Sequence, residues 1–142
     1  MKKNNTTGLG TPTEKKIEKK WVFIIEDDVF INKAYAAKFE HEDISVTFAL
    51  DGDEALATLK ASASLPALIL LDLMLPKRNG FELLGDFKAD ARTAKIPVVV
   101  LTNLGQETDA KRALDLGATE YLVKADTKIA EIVEKVKSYL GM

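Results

Sequence analysis

The sequence predicts an α/β fold in which helices cover both faces of a five-stranded parallel sheet. Short apolar runs recur at intervals of roughly two dozen residues, and segments with helical spacing lie between them. A succession of strand–helix units builds a doubly wound parallel sheet, because right-handed crossovers leave few other ways to connect parallel strands. The 142 residues suit one domain with a sizeable core. The predicted strands occupy residues 21–25, 44–50, 67–71, 96–101 and 121–123.

The third apolar run is the most informative of these strands. Leu68-Ile69-Leu70-Leu71 is aliphatic at every position, which is typical of a strand buried on both faces. A carboxylate, Asp72, stands where this strand ends, and turn residues follow at Pro76 and Asn79-Gly80. In open α/β sheets ligands bind outside the carboxyl ends of the strands, so Asp72 is placed where a substrate could reach it.

The helices are predicted from apolar residues three or four positions apart. The last helix is the clearest, because apolar side chains follow this spacing from Ile129 to Leu140. We expect the inward faces of the helices, in chain order, to be Phe30, Ala34 and Ala37; Ala55, Leu56 and Leu59; Phe81, Leu84 and Phe87; Ala110, Ala113 and Leu114; and Ile129, Ile132, Val133, Val136 and Leu140.

Charge divides the chain into two parts. Residues 1–20 contain six Lys and two Glu, a balance of +4, whereas the remainder contains 14 Lys+Arg and 20 Asp+Glu, a balance of −6. We therefore expect a flexible Lys-rich tail over residues 1–20 and one folded domain over residues 21–142. The mildly acidic domain argues against nucleic acid as the main partner.

Composition excludes several kinds of site. The chain has no cysteine, so disulfides and thiolate metal sites are excluded. A single histidine, His41, cannot form an imidazole cluster, and we expect it to be solvated at a helix end. Because there is neither a signal-peptide pattern nor an apolar run near the ~20 residues of a membrane span, we expect a cytoplasmic protein without a membrane partner.

Polar side chains follow four of the five predicted strands. Any one of them could be a helix cap, with Asp28 and Thr102 as the candidates, but capping does not explain several together at one sheet edge. Hard oxygen ligands without His or Cys select Mg²⁺ or a similar ion. A carboxylate beside Mg²⁺, an ammonium and a hydroxyl is equipped to attack phosphorus and form an aspartyl phosphate. The residues at these strand ends are Glu26-Asp27-Asp28, Asp72, Thr102-Asn103 and Lys124.

From Trp21 to Leu140 the chain resembles a response-regulator receiver domain of two-component signalling. Five motifs at the family's spacing carry the resemblance: Ile-Ile-Glu-Asp-Asp at 24–28, Leu-Leu-Asp-Leu-Met-Leu-Pro at 70–76, Asn-Gly-Phe-Glu-Leu-Leu at 79–84, Leu-Thr-Asn at 101–103 and Gly-Ala-Thr-Glu-Tyr-Leu-Val-Lys at 117–124. The resemblance implies a flavodoxin-like (βα)5 fold with strand order 2-1-3-4-5.

The resemblance also implies a role for each matching residue. Asp72 would accept a phosphoryl group from a sensor histidine kinase or a phosphotransfer protein. Mg²⁺, or Mn²⁺, would be bound by Glu26, Asp27, Asp72 and the main-chain carbonyl of Met74. Thr102 and Lys124 would contact the phosphoryl oxygens, and Tyr121 would turn inward when Thr102 moves, unless it is an ordinary strand aromatic. Phosphorylation would then alter the face at 106–140, which binds a downstream protein or a second copy.

Two departures from the family pattern bear on these expectations. Ala125 replaces the usual proline after the active-site lysine, so we predict a trans peptide bond and a loop of different shape at 124–127. Met74 and Leu104 occupy the positions where the family tunes hydrolysis. Because apolar groups cannot orient an attacking water, we expect a long-lived phosphoryl group.

Other functions are open to such a chain. With no DNA-binding or enzymatic segment after the last predicted helix, the sequence favours a stand-alone receiver or one cut from a longer protein. A pseudo-receiver that binds partners without phosphate is the alternative, although no acceptor or lysine is missing. A Mg²⁺-dependent phosphohydrolase fits less well, because Met74 stands where such enzymes place a general acid. We expect a regulatory phosphoacceptor that catalyses only its own phosphorylation and dephosphorylation.

Overall fold

The structure, a computed structural model, describes residues 19–142, and five strands alternate with five helices along them. A 3-10 turn also joins the last strand to the last helix at Lys124–Asp126. In chain order the elements are β1 Trp21–Ile25, α1 Val29–His41, β2 Ser45–Ala49, α2 Gly52–Ala61, β3 Leu68–Leu71, α3 Gly80–Ala89, β4 Val98–Thr102, α4 Glu107–Asp115, β5 Glu120–Val123 and α5 Ile129–Leu140.

The five strands form one parallel sheet with the order β2-β1-β3-β4-β5, as predicted. Ile25 at the end of β1 is level with Leu71 at the end of β3, and Leu71 is level with Val100 of β4. The residues that follow β1 and β3 therefore leave the sheet side by side. On the other side of β4, Thr102 is level with Val123, the last residue of β5.

Both faces of the central strands β1, β3 and β4 are buried, which explains their unbroken apolar runs, whereas the edge strands β2 and β5 are only partly buried. Because successive side chains of a strand point to opposite faces, Phe23 and Ile25 belong to the core under α2, α3 and α4. Val22 and Ile24 belong to a second core under α1 and α5. The central strands β1 and β3 are thus held rigidly between two packed layers.

The predicted inward face of α1 is wrong. Phe30 is 78% exposed, and Ala34 and Ala37 are also exposed. The buried residues are instead Asn32, Tyr35 and Phe39. Two of these three carry polar groups, so the spacing of apolar residues could not identify the inward face of α1.

The remaining helices agree with the prediction except at α4. Leu114 is exposed, whereas Ala113 is buried and Leu116, just beyond the helix, packs against the core. Because α4 lies over the margin of the sheet, it buries only a narrow stripe of side chains, and Leu116 in the chain after it supplies the larger apolar contact. The faces of α2 and α3 are confirmed, and in α5 every predicted residue is buried except Ile129, which is 37% exposed.

Several smaller predictions can be compared with the structure. Residues 1–18 of the predicted tail lie outside the described residues. His41 ends α1 and is exposed, as expected. The predicted trans bond before Ala125 is confirmed, since residues 19–142 contain no cis peptide bond. In the same range, no helix is both long and apolar enough to cross a membrane.

Candidate functional site

Two buried carboxylates lie at the carboxyl edge of the central strands. Asp72 follows β3 and is 6% exposed, and its main-chain N–H donates to the carbonyl of Ile25 at 3.0 Å. Glu26 follows β1 and is buried beside it. Together with the exposed Asp27, they present carboxylate oxygens that all lie within 4.8 Å of one another. The structure thus brings together the three acids that the sequence singled out.

Lys124 lies between the two buried acids. Its ammonium donates to Oδ2 of Asp72 at 2.9 Å and also to Oε1 of Glu26. The side chain of Lys124 is largely buried, so these ion pairs are poorly screened by water. Burial lowers the pKa of Lys124, but its hydrogen bonds to Glu26 and Asp72 outweigh that effect and raise the pKa. The ammonium therefore stays charged at neutral pH.

The surroundings of Glu26 shift its pKa in the same direction. Burial is the largest effect and raises the pKa, whereas the hydrogen bonds from Lys124 and from the Asp28 main chain lower it, and the net shift is upward. The carboxylate is held by the Asp28 N–H, which donates to Oε2 at 3.0 Å. Glu26 is therefore fixed in position while its negative charge is only partly compensated.

The donor set fits a hard divalent cation. All the cluster's side-chain donors are carboxylate oxygens, which is the ligand type that Mg²⁺ and Mn²⁺ accept from proteins. Three carboxylates and one ammonium carry a formal charge of about −2, which one divalent cation would neutralise. Asp27 is exposed, so a cation could reach the cluster from solvent.

The loop between β3 and α3 holds the second oxygen of Asp72. The main-chain N–H of Met74 donates to Oδ1 at 3.0 Å, and the N–H of Gly80 donates to the carbonyl of Leu73 at 2.9 Å. Lys77, which has a positive φ of 69°, forms an ion pair with Asp51 at the start of α2. The Met74 side chain is exposed at the mouth of the site.

Thr102 and Tyr121 are connected through Leu104. Thr102 ends β4 and is fully buried, and its Oγ1 accepts from the Leu104 N–H at 3.4 Å. The hydroxyl of Tyr121 donates to the carbonyl of Leu104. Tyr121 is half-buried and packs against the core under α4. The predicted switch pair is thus joined by two hydrogen bonds through one residue.

Asp28 and Asn32 complete the surroundings of the acids. Asp28 caps α1, because Oδ1 accepts from the N–H groups of Phe30 and Ile31. Asn32 was missed by sequence analysis, and its side-chain amide donates to the carbonyl of Glu26 at 2.8 Å. The available signal was a polar residue of modest helix propensity in the interior of a helix.

Comparison with known proteins agrees with this geometry. The family model for the response regulator receiver domain matches residues 22–137. The DNA-binding dual master transcriptional regulator RpaA of Synechocystis sp. is 39% identical over 119 residues, which are 84% of this chain and 48% of that protein. The chain thus spans about half the length of the curated relatives it matches.

Solved structures give the same result. The phosphorylated cyanobacterial phytochrome response regulator RcpA superposes with a TM-score of 0.76 at 33% identity, covering 86% of this chain and 94% of that one. The Mn²⁺-bound form of response regulator Rcp1 superposes with a TM-score of 0.75 at 29% identity, covering 85% and 94%.

Proposed function

Because this chain belongs to the response regulator receiver domain family, we propose that it is a phosphorylation-dependent signalling switch with Asp72 as the phosphoacceptor. The observation that carries the proposal is the environment of Asp72. This carboxylate is 6% exposed, its Oδ2 accepts from Lys124, and two further acids lie beside it. A purely structural aspartate after a strand would need neither the ammonium nor the neighbouring acids.

Glu26, Asp27, Asp72 and the main-chain carbonyl of Met74 would hold Mg²⁺, or Mn²⁺ in its place. When bound, this ion supplies positive charge that offsets the negative charge of the incoming phosphoryl group. The fit to the donor set supports this assignment, since all the side-chain donors are hard oxygens that lie within 4.8 Å of one another.

The residues of the chain supply the remaining chemistry. An oxygen of Asp72 forms a bond to phosphorus while the phosphorus–nitrogen bond of a donor phosphohistidine breaks and its electron pair stays with the imidazole. Lys124 then moves its hydrogen bond from the carboxylate to a phosphoryl oxygen. The hydroxyl of Thr102 donates a hydrogen bond to another phosphoryl oxygen. Its Oγ1 accepts from the Leu104 N–H, and within residues 19–142 the hydroxyl donates to no other group, so its hydrogen is available for this contact.

Phosphorylation then alters the face formed by residues 106–140. A shift of Thr102 towards the phosphoryl group moves Leu104, whose carbonyl accepts from Tyr121. Tyr121 lies on β5 and packs against the core under α4, so the α4 side of this face is coupled to the site. The partners we infer are a sensor histidine kinase or phosphotransfer protein upstream, and a downstream protein or a second copy at residues 106–140.

The protein acts as a phosphoacceptor regulator in the cytoplasm, and its only catalysis is its own phosphorylation and dephosphorylation. Residues 21–142 form the receiver domain in this proposal. A failed phosphorylation experiment would instead support the alternative, a pseudo-receiver that binds partners without phosphate.

Met74 and Leu104 slow the loss of the phosphoryl group. Met74 is exposed at the mouth of the site and offers no hydrogen bond to an attacking water. We expect Met74→Asn to shorten the half-life of phosphorylated protein several-fold, because an amide can orient water. The half-life is measured by the decay of the phosphorylated mass after the donor is removed. A variant that decays more slowly than wild type would contradict this role.

Intact mass spectrometry tests the proposal as a whole. The protein is incubated with acetyl phosphate with and without Mg²⁺, beside Asp72→Asn and the control Asp90→Asn, whose carboxylate lies at the end of α3. We expect one phosphoryl adduct that requires Mg²⁺, persists in the control and is absent from Asp72→Asn. Folded, Mg²⁺-binding wild type without an adduct would overturn the switch in favour of the pseudo-receiver.

A further inference from the structure

Asn32 is a buried polar residue on the inner face of α1, and it contacts the strand end that carries the acids. It is 7% exposed, and its Nδ2 donates to the main-chain carbonyl of Glu26 at 2.8 Å. Tyr35 and Phe39 occupy the next inward positions of the same helix. The amide thus reaches from an otherwise mostly apolar face to the first residue after β1.

With this contact, every polar group of Glu26 has a hydrogen-bond partner. Its N–H donates to the carbonyl of Ala49 at 3.0 Å, and its carboxylate accepts from Asp28 and Lys124. The remaining polar group is the main-chain carbonyl, and Asn32 is its partner. Since Asp28 is itself fixed as the cap of α1, Asp27 is presented from a turn that is held at both ends.

The second polar atom of Asn32 makes a structural role alone a poor explanation. Its Oδ1 is buried and has no hydrogen-bond partner among residues 19–142. A buried acceptor without a partner destabilises the folded state, and asparagine has lower helix propensity than leucine. A leucine would remove both disadvantages and keep a similar size. What it could not do is hold the Glu26 carbonyl.

We propose that Asn32 is a positioning residue of the divalent-cation site, acting through the main chain of Glu26 to orient the Glu26–Asp28 turn. This inference rests on the proposed function, because it assumes that the acids hold Mg²⁺. Without the amide bond, the Glu26 carbonyl can rotate away from α1, and the Asp27 carboxylate samples more orientations before it binds the ion. The bond therefore sets the metal affinity of the site rather than the stability of the fold.

Isothermal titration calorimetry with Mg²⁺ on the full 142-residue chain tests this inference. We expect Asn32→Leu to weaken Mg²⁺ binding about 10-fold, the usual effect of losing a residue that orients a metal ligand. In a metal-free solution with chelator, the amide of Asp28 should exchange its hydrogen faster in the variant, because its acceptor, the Glu26 carboxylate, is less firmly held. The urea midpoint in chelator should change little, because the variant removes the unpartnered Oδ1 of Asn32 and leaves the Glu26 carbonyl unpartnered in its place.

Thr93→Val is the matched control for a buried side-chain bond to a main-chain carbonyl. The Thr93 hydroxyl donates to the carbonyl of Phe87 at 2.7 Å after α3, and Thr93 is also buried. We expect this variant to lower the urea midpoint and leave Mg²⁺ affinity unchanged. Asn32→Ala, which has high helix propensity, serves as the second variant where leucine does not fit the space.

The outcomes separate the two proposals. Wild type that binds no Mg²⁺ would overturn the proposed function, and the role of Asn32 with it. Wild type that binds Mg²⁺, with equal affinity in folded Asn32→Leu or Asn32→Ala, would overturn the positioning role alone. The inference is supported if the Asn32 variants lose Mg²⁺ affinity and Thr93→Val does not. The control must at the same time lose as much stability as the Asn32 variants, or more.

Discussion

At the scale of single residues, the site is a balance of buried charge. Glu26 and Asp72 are buried at the ends of adjacent strands, and they share one ammonium group, that of Lys124. Removing either kind of partner from such a cluster leaves an uncompensated buried charge. The acids are therefore tolerated through Lys124 in the metal-free protein and are still negative enough to attract a cation.

Two glycines of α3 provide a residue-scale prediction. A Cβ on Gly80 would lie 2.4 Å from Cα of Leu73 and 2.7 Å from the carbonyl oxygen of Asp72, whereas a Cβ on Gly85 would meet no atom within 4 Å. We expect Gly80→Ala to destabilise the protein by about 1–3 kcal/mol, because the loop carrying Asp72 must shift.

The matched change Gly85→Ala should stabilise the protein by about 0.5–1 kcal/mol, since alanine is favoured over glycine in the middle of a helix. Urea denaturation gives both values, and the Gly80 variant should also accept phosphoryl groups more slowly. Equal effects of the two substitutions would show that the close contact at Gly80 does not constrain the loop.

At the scale of elements, α1 is the helix whose orientation decides how the site is built. Its inward residues are Asn32, Tyr35 and Phe39. The Asn32 amide therefore lies towards Glu26, whereas the predicted inward residues Phe30, Ala34 and Ala37 lie towards solvent. The cap at Asp28 fixes where this helix begins. The first turn of α1 is thereby tied to the metal-binding acids.

Two phenylalanines of α1 test this orientation directly. Phe39 is 0% exposed and Phe30 is 78% exposed. We expect Phe39→Ala to lower the free energy of unfolding by about 3–5 kcal/mol, the usual result of truncating a buried aromatic residue. Phe30→Ala should change it by no more than about 0.5 kcal/mol. Urea denaturation measures both, and the reverse order would mean that the apolar spacing had identified the inward face correctly.

The packing of α5 on β5 provides a prediction of pH dependence. Lys135 donates to Oε1 of Glu120 at 2.8 Å, and Tyr139 donates to its other oxygen. The hydrogen bond from Lys135 has the largest effect and lowers the pKa of Glu120, and the hydrogen bond from Tyr139 lowers it further. Burial, followed by the hydrogen bond to Glu120, raises the pKa of Tyr139 to about 12. Tyr139 therefore remains a neutral donor throughout the acid and neutral range.

The sign of the effect follows from the lowered pKa of Glu120. The stability it contributes is fully present above the unfolded-state carboxyl pKa of about 4.3 and is lost as pH falls through the lower folded-state value. We expect Glu120→Gln to cost about 1 kcal/mol at neutral pH, a modest figure because the pair is partly exposed. The difference from wild type should close as the pH falls below the lowered folded-state pKa of Glu120.

Urea midpoints across this pH range measure the effect, with Glu134→Gln as the control. Glu134 is also on α5, but its side chain is 76% exposed. Its substitution should have little effect at any pH. A Glu120→Gln penalty that persists unchanged in acid would contradict the ionic origin of the stabilisation.

At the scale of the whole molecule, one sheet edge gathers residues that are distant in sequence. Lys124 and Glu26 are 98 positions apart, and Lys124 and Asp72 are 52 positions apart. The same edge leads through Thr102 and Leu104 to Tyr121. In the proposed switch, a change of charge at Asp72 acts on Thr102 and reaches the surface formed by residues 106–140 through these two hydrogen bonds.

Hydrogen exchange provides a whole-molecule prediction for this route. On phosphorylation, we expect the largest changes in amide exchange within residues 106–140, because the bond between Tyr121 and Leu104 is the link to Thr102. Residues 52–61 of α2 serve as an internal reference and should change little. Changes of equal size in both regions, or none at 106–140 in fully phosphorylated protein, would rule out the proposed output face.

The sequence by itself determined the fold class, all five strands and the residues placed at their ends. It could do so because β3 and β4 are buried on both faces and are apolar along almost their whole length, so the change to Asp72 or Thr102 marks the strand end clearly. Lys124 follows the apolar residues of the half-buried edge strand β5. The same logic succeeded for α2, α3 and α5, where the inward face is formed almost entirely by apolar side chains.

The tertiary structure alone decided how α1 is oriented and which groups compensate the acids. Asn32 and Tyr35 face inward because the amide of Asn32 bonds to Glu26, a contact that no apolar periodicity can reveal. Likewise, the sequence placed Lys124 at the correct edge, but its simultaneous bonds to Glu26 and Asp72 depend on strand order and register. Such contacts join distant parts of the chain, and only packing brings them within hydrogen-bond distance.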